Sequence, residues 1–188
     1  PYYNKPTQEG LYQHFRAVAR ESRLPIVVYN IPGRCAVNIA PQTIARLAKD
    51  CPNILAVKEA SGSLDQVSEI ISLTPPSFTV LSGDDSLTLP MLSVGARGVI
   101  SVVANIAPKE TQTLCAAFLK GDLKKARTLH LKLFPLVKSL FVETNPIPVK
   151  AALSMMGLCR PEPRLPLTPL SAEARPGLKK ALKGFGLL

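Results

Sequence analysis

The sequence predicts an α/β fold, half of a (β/α)8 barrel followed by a helical C-terminal region, and three observations carry that prediction. Short apolar runs rich in β-branched residues recur along the first half, at 25–30 (PIVVYN), 53–59 (NILAVKE), 78–85 (FTVLSGDD) and 97–105 (RGVISVVAN). They are continuous rather than alternating, the pattern of parallel strands covered on both faces. Helical patterns lie between them, and strand and helix in alternation at this spacing mean successive right-handed βαβ units. Finally, each run closes on a polar or glycine cluster: Tyr29-Asn30, Lys58-Glu59, Ser82-Gly83-Asp84-Asp85 and Ser101. In a barrel of this class the chemistry sits at the carboxyl ends of the strands.

Each helix has its own signal. Residues 9–23 set Leu11, Phe15, Val18 and Ala19 on one stripe, and residues 41–50 begin with a proline suited to a first turn and carry Ile44, Leu47 and Ala48. Residues 63–73 are capped by Ser63, and 86–94 form a short apolar helix. Beyond Asn105 the strands stop. Residues 108–120, 123–141 and 145–158 read as helices, the last with Asn145 as N-cap and Pro146 at its first position. A proline-rich link, RPEPRLPLTP, leads to a closing helix over 172–182. The organisation predicted is therefore barrel units over 1–107 and a helical region over 108–188.

Composition narrows the function classes. With 188 residues, 46% hydrophobic and 19% charged, the chain can bury a core. No apolar run approaches the roughly 18 residues of a membrane span, which argues against a membrane partner. The formal charge of +10 invites a nucleic-acid reading, but much of it falls on amphipathic helical stretches such as GDLKKARTLHLKLF and RPGLKKALKGFGLL. With no RNA-binding motif or aromatic-basic interleaving, these charges read as solvated faces, and the field favours small anionic substrates. Cys35, Cys51, Cys115 and Cys159 form no CxxC pair and the chain holds two histidines, so no zinc pattern can be built. Free thiols in a reducing cytoplasm are the simplest account. The chain opens on PYYNKP rather than Met, and reads as a fragment or processed chain.

Among the strand-end residues, Lys58 stands out, because an apolar strand rarely ends in an ammonium. Lys58 and Tyr29 hold equivalent places on consecutive strands and would face one cup. An apolar surrounding favours the neutral form of a lysine, and the neutral amine is what attacks a carbonyl. The competing reading is a strand-end lysine paired with a carboxylate such as Glu59. Arg34, on the stretch leaving Asn30 in YNIPGRC, is either a surface arginine or a fork for a carboxylate. Gly83 lets a ligand approach the backbone. SGDD resembles a carboxylate pair for Mg²⁺, but with no phosphate-binding loop nearby the plainer reading is a turn in which Asp85 or Ser86 caps the next helix. Tyr2 and Tyr3 lie near the mouth or simply pack.

Taken in order, PYYNKPTQEGLYQHF, YNIPGR, AVKEASG, LSGDD, GVISVVAN and FVETNPIPVK resemble the later two-thirds of the dihydrodipicolinate synthases, across essentially the whole chain. The resemblance implies the later half of a TIM barrel and a pyruvate Schiff-base enzyme. Such an enzyme condenses pyruvate with aspartate semialdehyde to 4-hydroxy-tetrahydrodipicolinate, on the way to lysine and diaminopimelate, with no cofactor and no metal. Lys58 resembles the Schiff-base lysine and Tyr29 the proton-relaying tyrosine. Tyr3 resembles the tyrosine that completes the relay of a neighbouring subunit, and Arg34 the binder of the second substrate's carboxylate. Gly83 and Ile100 fall where the family lines its pocket. A cytoplasmic homo-oligomer, a dimer of dimers, is implied too.

The chain departs from the family in one respect. The Gly-Thr-Thr-Gly-Glu type segment that supplies a relay threonine is absent, as are the first strands. A closed barrel of this class takes about 250 residues, so the chain by itself is expected to be a poor catalyst. Tyr2 alone matches the family's lysine-feedback site. Two alternatives stand beside the synthase. One is a sibling pyruvate-dependent aldolase, acting on N-acetylneuraminate or a keto-deoxy sugar acid, which would keep Lys58 and Tyr29 but not need Arg34. The other is a non-catalytic half-barrel.

Overall fold

A computed structural model describes all residues, 1–188, as two compact units, Pro1–Ile100 and Ser101–Leu188. The first is a four-stranded parallel sheet of β1 (Ile26–Asn30), β2 (Ile54–Glu59), β3 (Thr79–Ser82) and β4 (Gly98–Val99), in the spatial order β1-β2-β3-β4. Helices α1 (Gln8–Glu21), α2 (Pro32–Cys35), α3 (Pro41–Asp50), α4 (Leu64–Leu73) and α5 (Thr88–Ser93) complete it. Parallel strands in sequence order, with no reversal, make the wall of a (β/α)8 barrel rather than a doubly wound sheet, whose order turns back at a switch point.

Helix starts follow their caps. Thr7 accepts a hydrogen bond from the Gly10 amide, so α1 begins at Gln8, and Ser63 does the same for Gln66 at the head of α4. The register pairs Val28 with Val57 and Val57 with Val80, and Tyr29 with Lys58 and Lys58 with Leu81. Because successive residues face opposite sides, these are rows on opposite faces. The valine row packs with Ile44, Leu47, Val67, Ile70 and Met91 into the core of this unit.

Several sequence expectations need correcting. Within this unit Val28 and Val57 are buried while Val27 and Tyr29 are about half exposed. The face bearing Val27, Tyr29 and Lys58 has no layer of this unit's helices over it. Val18 is exposed, and the apolar stripe of α1 runs through Leu11, Tyr12, Phe15 and Ala19, with the Tyr12 hydroxyl donating to Asp50. The expected 97–105 strand shrinks to Gly98–Val99. Ile100 still donates its amide to Ser82, but the Ser101 hydroxyl then accepts from Ala104 and starts a 3₁₀ turn over Val103–Asn105. Local side-chain bonding there outcompetes β-propensity. The single turn α2 has no counterpart in the sequence reading, and the expected 86–94 helix divides into a 3₁₀ turn, Asp85–Leu87, and α5.

The second unit contains α6 (Pro108–Leu119), α7 (Leu123–Ser139), α8 (Ile147–Met155) and α9 (Arg175–Phe185). Asp122 caps α7 by accepting from Lys125, after a turn in which Gly121 has φ 83°. Pro146, not Asn145, occupies the N-cap of α8. The last helix begins three residues later than expected, where Ser171 accepts from Ala174 and ends the proline-rich link. Leu133, Leu136, Val137, Leu178 and Leu182 are buried where α7 packs on α9. No helix is long and apolar enough to cross a membrane. All four cysteines are free thiols. Burial, and then the Asp50 carboxylate, raise the Cys51 pKa above the usual thiol range, and burial does the same for Cys115.

Candidate active site

The carboxyl ends of β1 to β4 bring a row of residues onto the uncovered face: Tyr29 beside Lys58, Lys58 beside Leu81, and Leu81 beside Gly98. Lys58 Nζ lies 3.9 Å from the centroid of the Tyr29 ring. An amine and a phenol side by side can supply a nucleophile and a proton carrier. The competing arrangement, a Lys58–Glu59 pair, is not the one formed. Glu59 points to the opposite face, is 1% exposed, and spends its carboxylate on Asn30, Ser61 and Gln66.

Gly83 bears directly on Lys58. A Cβ there would lie 2.7 Å from Ala60 Cβ, 3.1 Å from the Glu59 carbonyl oxygen and 3.2 Å from Lys58 Cε. The sequence suggested that a glycine leaves room for a ligand, but the space is taken by the lysine's own stem and the chain that follows it. The Gly83 amide also donates to the Glu59 carbonyl, at 2.8 Å, so the β3 turn is tied to the end of β2. Ile100, 44% exposed, lies two residues beyond Gly98 and bonds back to Ser82.

Two other expected site residues, Arg34 and Tyr3, lie outside the strands. Arg34 is an exposed residue of α2, the turn that follows β1 directly. Tyr3 is 89% exposed and belongs to an N-terminal segment in which Lys5 turns back to the Tyr2 carbonyl. Within SGDD the cap is Asp84 rather than Asp85 or Ser86: its carboxylate accepts from both the amide and the hydroxyl of Ser86, each at 2.7 Å. That use leaves the pair as a turn, in the manner of an Asx motif.

Sequence reading missed a second constellation, behind the first. Asn30 is fully buried; its Nδ2 donates to both Glu59 oxygens, at 2.9 and 3.2 Å, and to Asn38 Oδ1 at 2.8 Å. Its Oδ1 accepts from the Ile39 amide. Gln66 donates to Glu59 and trades hydrogen bonds with Asn38. The available signal was strand alternation. Two adjacent polar residues at a strand end cannot both face the mouth, so Tyr29 and Lys58 on one side require Asn30 and Glu59 on the other.

The model of the dihydrodipicolinate synthetase family matches residues 1–185. Over its whole length the chain is 57% identical to the 4-hydroxy-tetrahydrodipicolinate synthase of Endomicrobium trichonymphae, of which it covers 64%. Its fold superposes on the crystal structure of dihydrodipicolinate synthase from Thermotoga maritima with a TM-score of 0.98 at 52% identity, covering 100% of this chain and 65% of that one. For the Aquifex aeolicus dihydrodipicolinate synthase the TM-score is also 0.98, at 53% identity, covering 100% of this chain and 64% of the other. The chain thus spans a little under two thirds of the relatives it matches.

Proposed function

The chain belongs to the dihydrodipicolinate synthetase family, and from that premise we propose that it carries the Schiff-base half of a 4-hydroxy-tetrahydrodipicolinate synthase. The observation that carries the reading is the strand-end row in which Lys58 Nζ sits over the Tyr29 ring, in a chain so similar to synthases of that name. Neutral Lys58 attacks the ketone of pyruvate, and loss of water leaves an imine. A methyl proton then departs to give an enamine, with Tyr29 as the adjacent proton carrier. The enamine carbon attacks the aldehyde of aspartate semialdehyde, whose carboxylate Arg34 grips. Attack of the substrate's amino group on the former ketone carbon releases the lysine and closes the ring. The imine nitrogen is itself the electron sink, so these steps balance without a further cofactor.

Tyr3 fits a role on a second copy of the chain, since its ring stands almost wholly in solvent. A homo-oligomer is accordingly part of the proposal, as is a cytoplasmic location.

Borohydride reduction with pyruvate, on the protein read from its natural start, tests the central step. Peptide mass analysis is expected to place a reduced pyruvate adduct on the segment from Ile54 to Glu59. A folded protein with no adduct, or an adduct on another lysine, refutes the reading. The second substrate is tested by Arg34→Ala. Removing a charge-assisted fork is expected to weaken the semialdehyde by about 2–4 kcal/mol while sparing pyruvate. Equal loss for both substrates favours a sibling aldolase acting on a different aldehyde.

A further inference from the structure

The buried knot behind the lysine has a shape that core packing alone does not require. Glu59 is 1% exposed and Asn30 0% exposed, and both sit at strand ends. Burying a carboxylate is costly unless donors surround it, and here each contact is with a donor. Glu59 Oε1 accepts from the Ser61 amide at 2.6 Å and from Asn30 at 3.2 Å; Oε2 accepts from Asn30 at 2.9 Å and Gln66 at 3.1 Å. These donors come from β1, from the loop after β2, and from the first turn of α4. The knot therefore ties the end of β2, one residue past Lys58, to β1 and to the loop and helix that follow.

Asn30 extends the clamp in a second direction. It accepts from the Ile39 amide at 3.0 Å and donates to Asn38 at 2.8 Å, so one side chain closes the loop that leaves β1 and returns at Ile39. That loop carries Arg34. Asn38 is held in turn by its two-way exchange with Gln66, and its carbonyl accepts from Gln8.

We propose that Glu59 and Asn30 are positioning residues that serve the two substrates separately: Glu59 sets the aim of Lys58 toward the keto acid, and the Asn30–Asn38 tie sets the loop that presents Arg34 to the carboxylate of the aldehyde. This rests on the Schiff-base reading above. It predicts a split that a merely stabilising network would not produce. Glu59→Gln keeps the size of the side chain but turns one oxygen into an NH₂ group facing N–H donors, so the strand end must shift. A displacement of that kind at the nucleophile costs up to about 100-fold. Asn38→Ala removes the loop tie and the bonds exchanged with Gln66, at an exposed position, while Glu59 keeps its donors from Asn30, Ser61 and Gln66.

The test measures two quantities on the protein read from its natural start: the rate of borohydride-trappable imine formation with pyruvate, and KM for aspartate semialdehyde. Thermal midpoints are recorded alongside. Glu59→Gln is expected to slow imine trapping by about 10- to 100-fold. Asn38→Ala is expected to leave trapping within about two-fold, since every donor to Glu59 stays, while raising the semialdehyde KM about five-fold as the loop loses its tie to Asn30. A folded Glu59→Gln protein that traps pyruvate at the unsubstituted rate overturns the proposal, as does an Asn38→Ala protein that changes both substrates alike. Should Glu59→Gln fail to fold, Gln66→Ala removes one donor from Oε2 at a half-buried site, and is expected to slow trapping a few-fold; an unchanged rate overturns the proposal there too. Absence of an adduct in the unsubstituted protein would instead refute the Schiff-base reading itself.

Discussion

The two faces of one sheet hold opposite chemistry with alternate residues of the same strands. On the covered face, Val28, Val57 and Val80 form an apolar row, and one step further along Asn30, Glu59 and Ser82 are all buried and polar. On the other face, Val27 lies half exposed, and the row ends in Tyr29 and Lys58. Neighbours in sequence thus part company. Lys58 presents an amine to the open side while Glu59 is locked into a donor cage behind it. One face can be read for stability and the other for chemistry, and the strand pleat keeps the two apart.

The largest expected effect separates the faces outright. Lys58→Ala should abolish the pyruvate adduct and lower activity by at least about 10³-fold, as removal of a nucleophile does. Because the side chain lies on the face opposite the valine core, urea unfolding should change by no more than about 1 kcal/mol. A large stability loss would mean that the lysine stem is a packing element. The converse change is Ile70→Ala on α4, where the side chain is fully buried. There the expected cost is about 2–5 kcal/mol of stability, with imine trapping below the melting range unchanged. Loss of trapping in a still-folded Ile70→Ala protein would show that the two faces are coupled.

Gly83→Ala joins the faces and carries the smallest effect. The new Cβ crowds Ala60, the Glu59 carbonyl and Lys58 Cε, so both readouts should fall: stability by about 1–3 kcal/mol, and trapping in the same protein. A variant that loses stability alone would mean that the lysine stem yields without losing its aim.

Much of this was legible in the chain itself. Apolar runs broken by helical patterns specify strands and helices because hydrophobic periodicity is local. Caps such as Ser63, and prolines such as Pro41, set helix starts through single hydrogen bonds or a fixed φ. Lys58 and Tyr29 could be matched across strands because both are strand-end residues of adjacent βα units. What the sequence alone could not decide depended on partners distant along the chain. Whether Lys58 or Glu59 faces the core turns on the register with β1 and β3, and that register is a property of the sheet. The β4 strand was cut short because a hydroxyl at Ser101 could reach an amide three residues on. Gly83 is needed for the lysine's own stem because α4's lead-in folds Ala60 against it. The Asn30–Glu59 knot required four separate segments to meet, and only the tertiary structure brings their donors around one carboxylate.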